Sequence, residues 1–171
     1  IISDGESTLF WAETVPDLRW ELQNYSIIRS YDLNTGKLRD ITSRTKYFNP
    51  ALSTDGQSLF AVEYPIGGGS RLVQLDKKKG HVIKNIPALP GGQITEVAQI
   101  GDSLFALIIT DSGMGLYRTD VLKGDGIWHN EIPDQHKYIQ NLTVNGKNLC
   151  FTSDLDGLVN SYIYYPDLKL M

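Results

Sequence analysis

Four stretches of this chain share one arrangement of polar and apolar positions, a turn signal followed by a compact apolar run. They read "SDGESTLFWAE", "STDGQSLFAVE", "QIGDSLFALII" and "VNGKNLCFTSD". Their central leucines are Leu9, Leu59, Leu104 and Leu149, so the pattern advances by 50, 45 and 45 residues. A second pattern follows each run: "RSYDLNTGKLRDIT", "RLVQLDKKKGHVIKNIP", "LYRTDVLKGDGIWHNEIP" and, begun only, "SYIYYPDLKLM". Short apolar runs bounded by Gly, Asn and Asp predict strands and hairpins, and no long window carries a helical period. Each repeat therefore predicts four strands, a to d; in the second they are "NPALS", "SLFAVE", "SRLVQLD" and "HVIKNI". Asp4-Gly5, Asp55-Gly56 and Asn145-Gly146 supply the a–b turns, because Gly and Asn tolerate positive φ.

Four-stranded antiparallel units at this period predict an all-β chain with β-propeller architecture. Strand b is apolar on both faces because each blade lies between two others. The blades span about residues 1–46, 47–91, 92–136 and 137–171. The first and last are incomplete: Ile1 aligns with Leu52 inside strand a, and Met171 falls near the start of strand d. An open arc exposes apolar blade faces, which favours a segment of a larger ring or self-association through open blade edges. The start on Ile1 rather than Met, with no signal-peptide pattern, is in keeping with an excised piece.

Composition narrows the partners. Hydrophobic residues make up 41% and charged residues 21% of 171, with a formal net charge of −4. That balance suits a packed domain and offers no basic field for nucleic acid. No apolar run approaches the ~18 residues that span a bilayer. One cysteine, Cys150, precludes an intrachain disulfide; its alignment with Phe60 and Phe105 predicts a buried, inert thiol.

The stretch "NPALSTDGQSLFAVE", the strand ending in Leu75-Asp76, and Tyr31-Asp32-Leu33-Asn34-Thr35-Gly36 together resemble the TolB-type propeller repeat. In that family an apolar strand follows an Asp-Gly turn, and a tyrosine strand then ends in Asp-x-x-Thr-Gly. The third repeat departs with Ile100-Gly101-Asp102, and the fourth with Asn145-Gly146 and Pro166. The resemblance implies a six-bladed parent, which at this period needs about 270 to 300 residues. It also implies a bacterial periplasm or cell envelope, a protein or peptide partner and no catalysis. Similar repeats form the gating propellers of prolyl oligopeptidase-like and dipeptidyl-peptidase-like serine peptidases. On that alternative, catalysis lies in a domain outside this chain.

The residues offer little catalytic chemistry. Gly101-Asp102-Ser103-Leu104 spells a serine-esterase signature but occupies the a–b turn position of Gly56-Gln57-Ser58-Leu59. His136 falls at the opposite blade end, and His81 on an outermost strand, so no triad forms on Ser103. Pro65-Ile66-Gly67-Gly68-Gly69-Ser70 lacks the Lys and helix of a phosphate loop. Asp154-Leu155-Asp156-Gly157 lacks the later ligands of a calcium loop, and the histidines share no metal spacing. No catalytic residue, metal or cofactor is predicted. The candidate binding face gathers the b–c and d–a loops: Arg19, Trp20 and Tyr25 from the long "TVPDLRWELQNYS" connection, with Tyr47, His136 and Tyr138. Aromatic and Arg side chains on loops are what interaction hot spots use.

Overall fold

The turn-and-run repeat folds four times as an antiparallel meander in the computed structural model, which describes residues 1–16 and 24–171. The first sheet runs β1 (Ile2–Ser3), β2 (Thr8–Pro16), β3 (Asn24–Asp32) and β4 (Lys37–Asp40). The second runs β5 (Tyr47–Leu52), β6 (Ser58–Glu63), β7 (Arg71–Asp76) and β8 (Val82–Pro87). The third is β9 (Gln93–Ile100), β10 (Ser103–Thr110), β11 (Gly113–Asp120) and β12 (His129–Gln135). The fourth has three strands, β13 (Ile139–Asn145), β14 (Asn148–Ser153) and β15 (Asn160–Tyr164). The chain is all-β, each sheet a propeller blade. Strand a of the first blade is the two-residue β1. The fourth blade reaches only a Tyr165–Leu170 bridge where strand d would begin.

The chain forms two compact units, Ile1–Asn85 and Ile86–Met171. In the first, Phe10 and Ile28 pack with Leu59, Ala61, Val73 and Leu75 in one core. In the second, Phe105, Leu107 and Leu116 pack with Leu149, Phe151 and Tyr164. Side chains alternate across a strand, so parity assigns the faces. Phe10 points toward the second blade and Phe105 toward the fourth, and the leucine before each points the other way. Each such side chain, fully buried, contributes roughly 1.5–3 kcal/mol. Parity also overturns one expectation. Cys150 stands at the Phe105 position of the fourth blade, facing away from Leu149 and Phe151, and is half-buried rather than enclosed.

The turns repeat because the chemistry of Asp repeats. Asp32 accepts hydrogen bonds from the backbone N–H groups of Asn34 and Thr35 at 3.0 and 2.8 Å. Asp76 does the same for Lys78 and Lys79, and Asp120 for Leu122 and Lys123. Four residues on, the amides of Gly36, Gly80 and Gly124 close each turn onto the aspartate carbonyl at 2.8–3.0 Å. The motif is thus a side-chain cap followed by a left-handed residue. Two of these connections also set how closely strands approach. A Cβ on Gly80 would lie 2.0 Å from the Ile41 carbonyl oxygen, and one on Gly126 2.4 Å from Pro87 Cγ. Both glycines are left-handed, at φ 67° and 74°. Beside Gly126, Trp128 is buried, and its Nε1 donates to the Pro87 carbonyl at 2.9 Å.

Candidate functional site

A meander sends its b–c loops and d–a connections to one end and its a–b and c–d turns to the other. In the first unit the loop end is built around Ser26. Its amide donates to Thr45 O at 2.9 Å, its hydroxyl donates to Tyr47 O at 2.6 Å, and its carbonyl accepts from Thr45 Oγ1 at 2.6 Å. Tyr25, half-buried, therefore leads directly into a fixed strand. Lys46 Nζ donates to the Asn24 carbonyl, and the rings of Phe48 and Tyr64 lie 5.4 Å apart. Glu63 and Arg71 are paired at 2.5 Å. Tyr47 does not belong to the exposed surface. Only 6% exposed, it is part of the core with Phe10 and Leu59, and burial holds its phenol above the ordinary tyrosine range. Arg19 and Trp20 lie outside the described residues.

In the second unit the loop end is more open. Tyr138 is 71% exposed, yet its backbone is held: its amide donates to Asp154 Oδ1 at 2.8 Å, and its carbonyl accepts from the Ser153 hydroxyl. His136 and Lys137 beside it are exposed. The facing b–c loop presents Leu158 and Val159, 72% and 71% exposed. Asp156 fixes that loop by accepting from Leu158 N at 3.3 Å and Asn160 Nδ2 at 2.9 Å. The carboxylates that suggested a calcium loop are thus committed to backbone and amide donors. Among the described residues no group of three His, Cys, Asp or Glu is placed to hold a metal.

Asp134, which sequence reasoning missed, organises the same end. It accepts from Thr110 Oγ1 at 2.5 Å and from the Tyr117 hydroxyl at 2.6 Å. A Cβ on Gly115 would come within 2.4 Å of Asp134 Oδ1, so only glycine leaves room for the carboxylate. Burial, and then the hydrogen bond to Asp134, raise the Tyr117 phenol above its usual range. The adjacent "GMG" before Leu116 is the one local trace of this packing.

At the turn end, Ser103 opens β10 opposite Asp120 and lines a pocket of about 440 Å³. His129 lines the same pocket. The two are not partners. His129 pairs with Arg118, and Arg118 with Phe105, which puts His129 two strands from β10. Two strand spacings come to roughly 10 Å, beyond the ~3 Å of a proton-transfer contact.

No family model matches the sequence, and no curated protein matches it. Solved structures do share the fold. The chain is similar to TolB from Acinetobacter baumannii, at 18% identity and a TM-score of 0.66, over 95% of this chain and 40% of that one. It is similar to a puromycin hydrolase, at 11% identity and a TM-score of 0.70, over 99% of this chain and 29% of that one. A prolyl endopeptidase matches at 16% identity and a TM-score of 0.62, over 93% of this chain and 25% of its own. The chain therefore has the propeller fold found in TolB and in peptidase propeller domains, and it spans less than half the length of each of these three.

Proposed function

We propose that this chain is a binding propeller of the bacterial cell envelope, gripping a protein or peptide partner with its b–c and d–a loops and performing no catalysis itself. The observation that carries this reading is the trio Tyr138, Leu158 and Val159. Each is more than 70% exposed, on loops fixed by Asp154 and Asp156. Large side chains on a held backbone lose little conformational entropy when covered, so their burial converts efficiently into affinity. Similarity to TolB supports the envelope setting. Tyr25 and His136 extend the candidate face by position at the loop ends of their units, and Arg19 and Trp20 by their place in the long b–c connection. Tyr47 contributes packing.

A photo-crosslinking residue at position 138, used in periplasmic extract, is expected to give a discrete adduct. The same residue at position 147, in an a–b turn, gives none. Arg19→Ala with Trp20→Ala lowers the adduct yield at least fivefold. Equal labelling from both positions overturns the loop-end reading, and an unchanged yield removes Arg19 and Trp20 from it.

The peptidase similarities favour a second reading, in which the chain is the gating propeller of a serine peptidase whose catalytic domain lies elsewhere. A Gly-x-Ser-x-Gly segment with downstream Asp and His in the flanking coding sequence would support it. Hydrolysis of a peptide ester by this chain alone would contradict both readings.

A further inference from the structure

A second pocket, of about 430 Å³, opens at the turn end of the first unit, and strand register builds its wall. Phe10 pairs with Ser30 and Ser30 with Arg39; Thr8 pairs with Asp32 and Asp32 with Lys37. Cross-strand partners share a face, so these six side chains line one side of the first blade. The turn after β7 brings Lys77 and Lys78 against it, with Lys77 Nζ 3.6 Å from Asp4 Oδ2.

The acidic groups of this pocket are largely committed, and most of its basic groups are not. Asp4 accepts from the amides of Glu6, Ser7 and Thr8, and Asp32 from those of Asn34 and Thr35. Among the described residues, Lys37, Arg39 and Lys78 have no carboxylate partner. Ser30 is only 6% exposed and lines the pocket beside Phe10, and no described residue hydrogen-bonds its hydroxyl. The third blade builds the same gap from Ser103, Arg118, Asp120 and His129, at the register positions of Thr8, Ser30, Asp32 and Arg39. There Arg118 is consumed by Glu131 at 2.9 Å. The first gap alone concentrates uncommitted cations. Charge along the chain follows suit: residues 1–85 carry 11 Lys and Arg against 10 Asp and Glu, and residues 86–171 carry 5 against 10.

We propose that this pocket binds a compact phosphoryl dianion, with Lys37, Arg39 and Lys78 as charge partners and the Ser30 hydroxyl as donor. Cations arrive from β4 and from the turn after β7, with a neutral donor between them. Donors spread over several directions suit a tetrahedral group with three free oxygens better than a planar carboxylate. Four cations against Asp4, Glu6 and Asp32 leave a small positive excess, which fits a dianion and not a polyanion. The site lies at the opposite blade end from the loops of the proposed function and stands independently of it.

The test is a titration of the whole chain with inorganic phosphate, and separately with O-phosphoserine, followed by ¹⁵N NMR against chloride at matched ionic strength. Saturable shifts are expected at the Ser30 amide, the Arg39 Nε–H and the Lys78 amide. Arg39→Ala and Lys78→Ala each weaken binding about tenfold and Ser30→Ala about threefold, as charge-assisted and neutral hydrogen bonds differ in strength. Lys123→Ala, in the third-blade pocket, leaves binding unchanged. Preference for inorganic phosphate identifies a free anion, and preference for O-phosphoserine a phosphoester; either supports the site. Shifts that fail to saturate, or that chloride reproduces, overturn it, as does binding indifferent to Arg39→Ala.

Discussion

Glu131 carries an enclosed charge in the second unit. Its side chain is 2% exposed, with Arg118 Nε at 2.9 Å and the Tyr164 hydroxyl donating to it at 2.6 Å. Removing one partner of a buried pair costs more than the pair contributes, because the remaining groups stay desolvated. Glu131→Ala is expected to lower unfolding stability by about 3 kcal/mol, the low end of that range because Arg118 is partly exposed. Glu131→Gln, which keeps an acceptor, loses less; urea melts of the two variants measure the difference. Tyr164 adds a pH signature. Burial, and then the bond to Glu131, raise its phenol far above the ordinary tyrosine range. The folded state thus keeps its proton where the unfolded chain releases it. Stability is fully present below about pH 10, the unfolded value, and falls as pH rises beyond it. Tyr164→Phe should remove a slope on the order of 1.4 kcal/mol per pH unit above pH 10. An unaltered alkaline slope would show that Tyr164 ionises freely in the folded protein.

At the scale of the element, the turns separate conformational cost from steric cost. Gly56 and Gly80 have the same φ of 67°, but a Cβ on Gly56 meets nothing within 4 Å and one on Gly80 meets the Ile41 carbonyl. Gly56→Ala is expected to cost about 1 kcal/mol from the left-handed backbone alone. Gly80→Ala adds displacement of a neighbouring strand end and should cost about 3 kcal/mol. Gly126→Ala, against the rigid Pro87 ring, belongs with Gly80. Thermal melts of the three variants rank them, and equal losses would remove the role given to close approach. Local turns are legible in the sequence, and contacts between distant strands are not. Asp-x-x-Thr-Gly was legible because the bonds that cap it, from the amides of Asn34, Thr35 and Gly36 to Asp32, lie within four residues. Tyr47 and Phe48 are adjacent aromatics at the start of β5, and only strand parity decides that Tyr47 turns into the core while Phe48 meets the Tyr64 ring at a tilt. The Glu131–Tyr164 bond spans 33 residues, and nothing in "SYIYY" distinguishes the tyrosine that makes it.

Across the whole molecule, the repeat was legible because each blade restates the same compromise: strand b apolar on both faces, Asp and Gly at the turns. The candidate face was legible only in part. Tyr138 is exposed, and the acidic turn that supports it was legible as a turn, but the Asp154 bond to the Tyr138 amide spans 16 residues and left no local trace. The turn-end pocket escaped notice because Ser30, Arg39 and Lys78 meet only when two blades are in register. These assignments rest on the two blades of each unit packing through facing sides of their strands. The direct measurement is a methyl and aromatic NOE spectrum of the chain in solution. Cross-peaks are expected that join Phe10 and Ile28 with Leu59 and Val73, and Leu107 and Leu116 with Leu149 and Phe151. Cross-peaks confined within single sheets, or joining Phe10 to Phe60 in place of Leu59, would contradict the blade register on which the fold and both proposed sites depend.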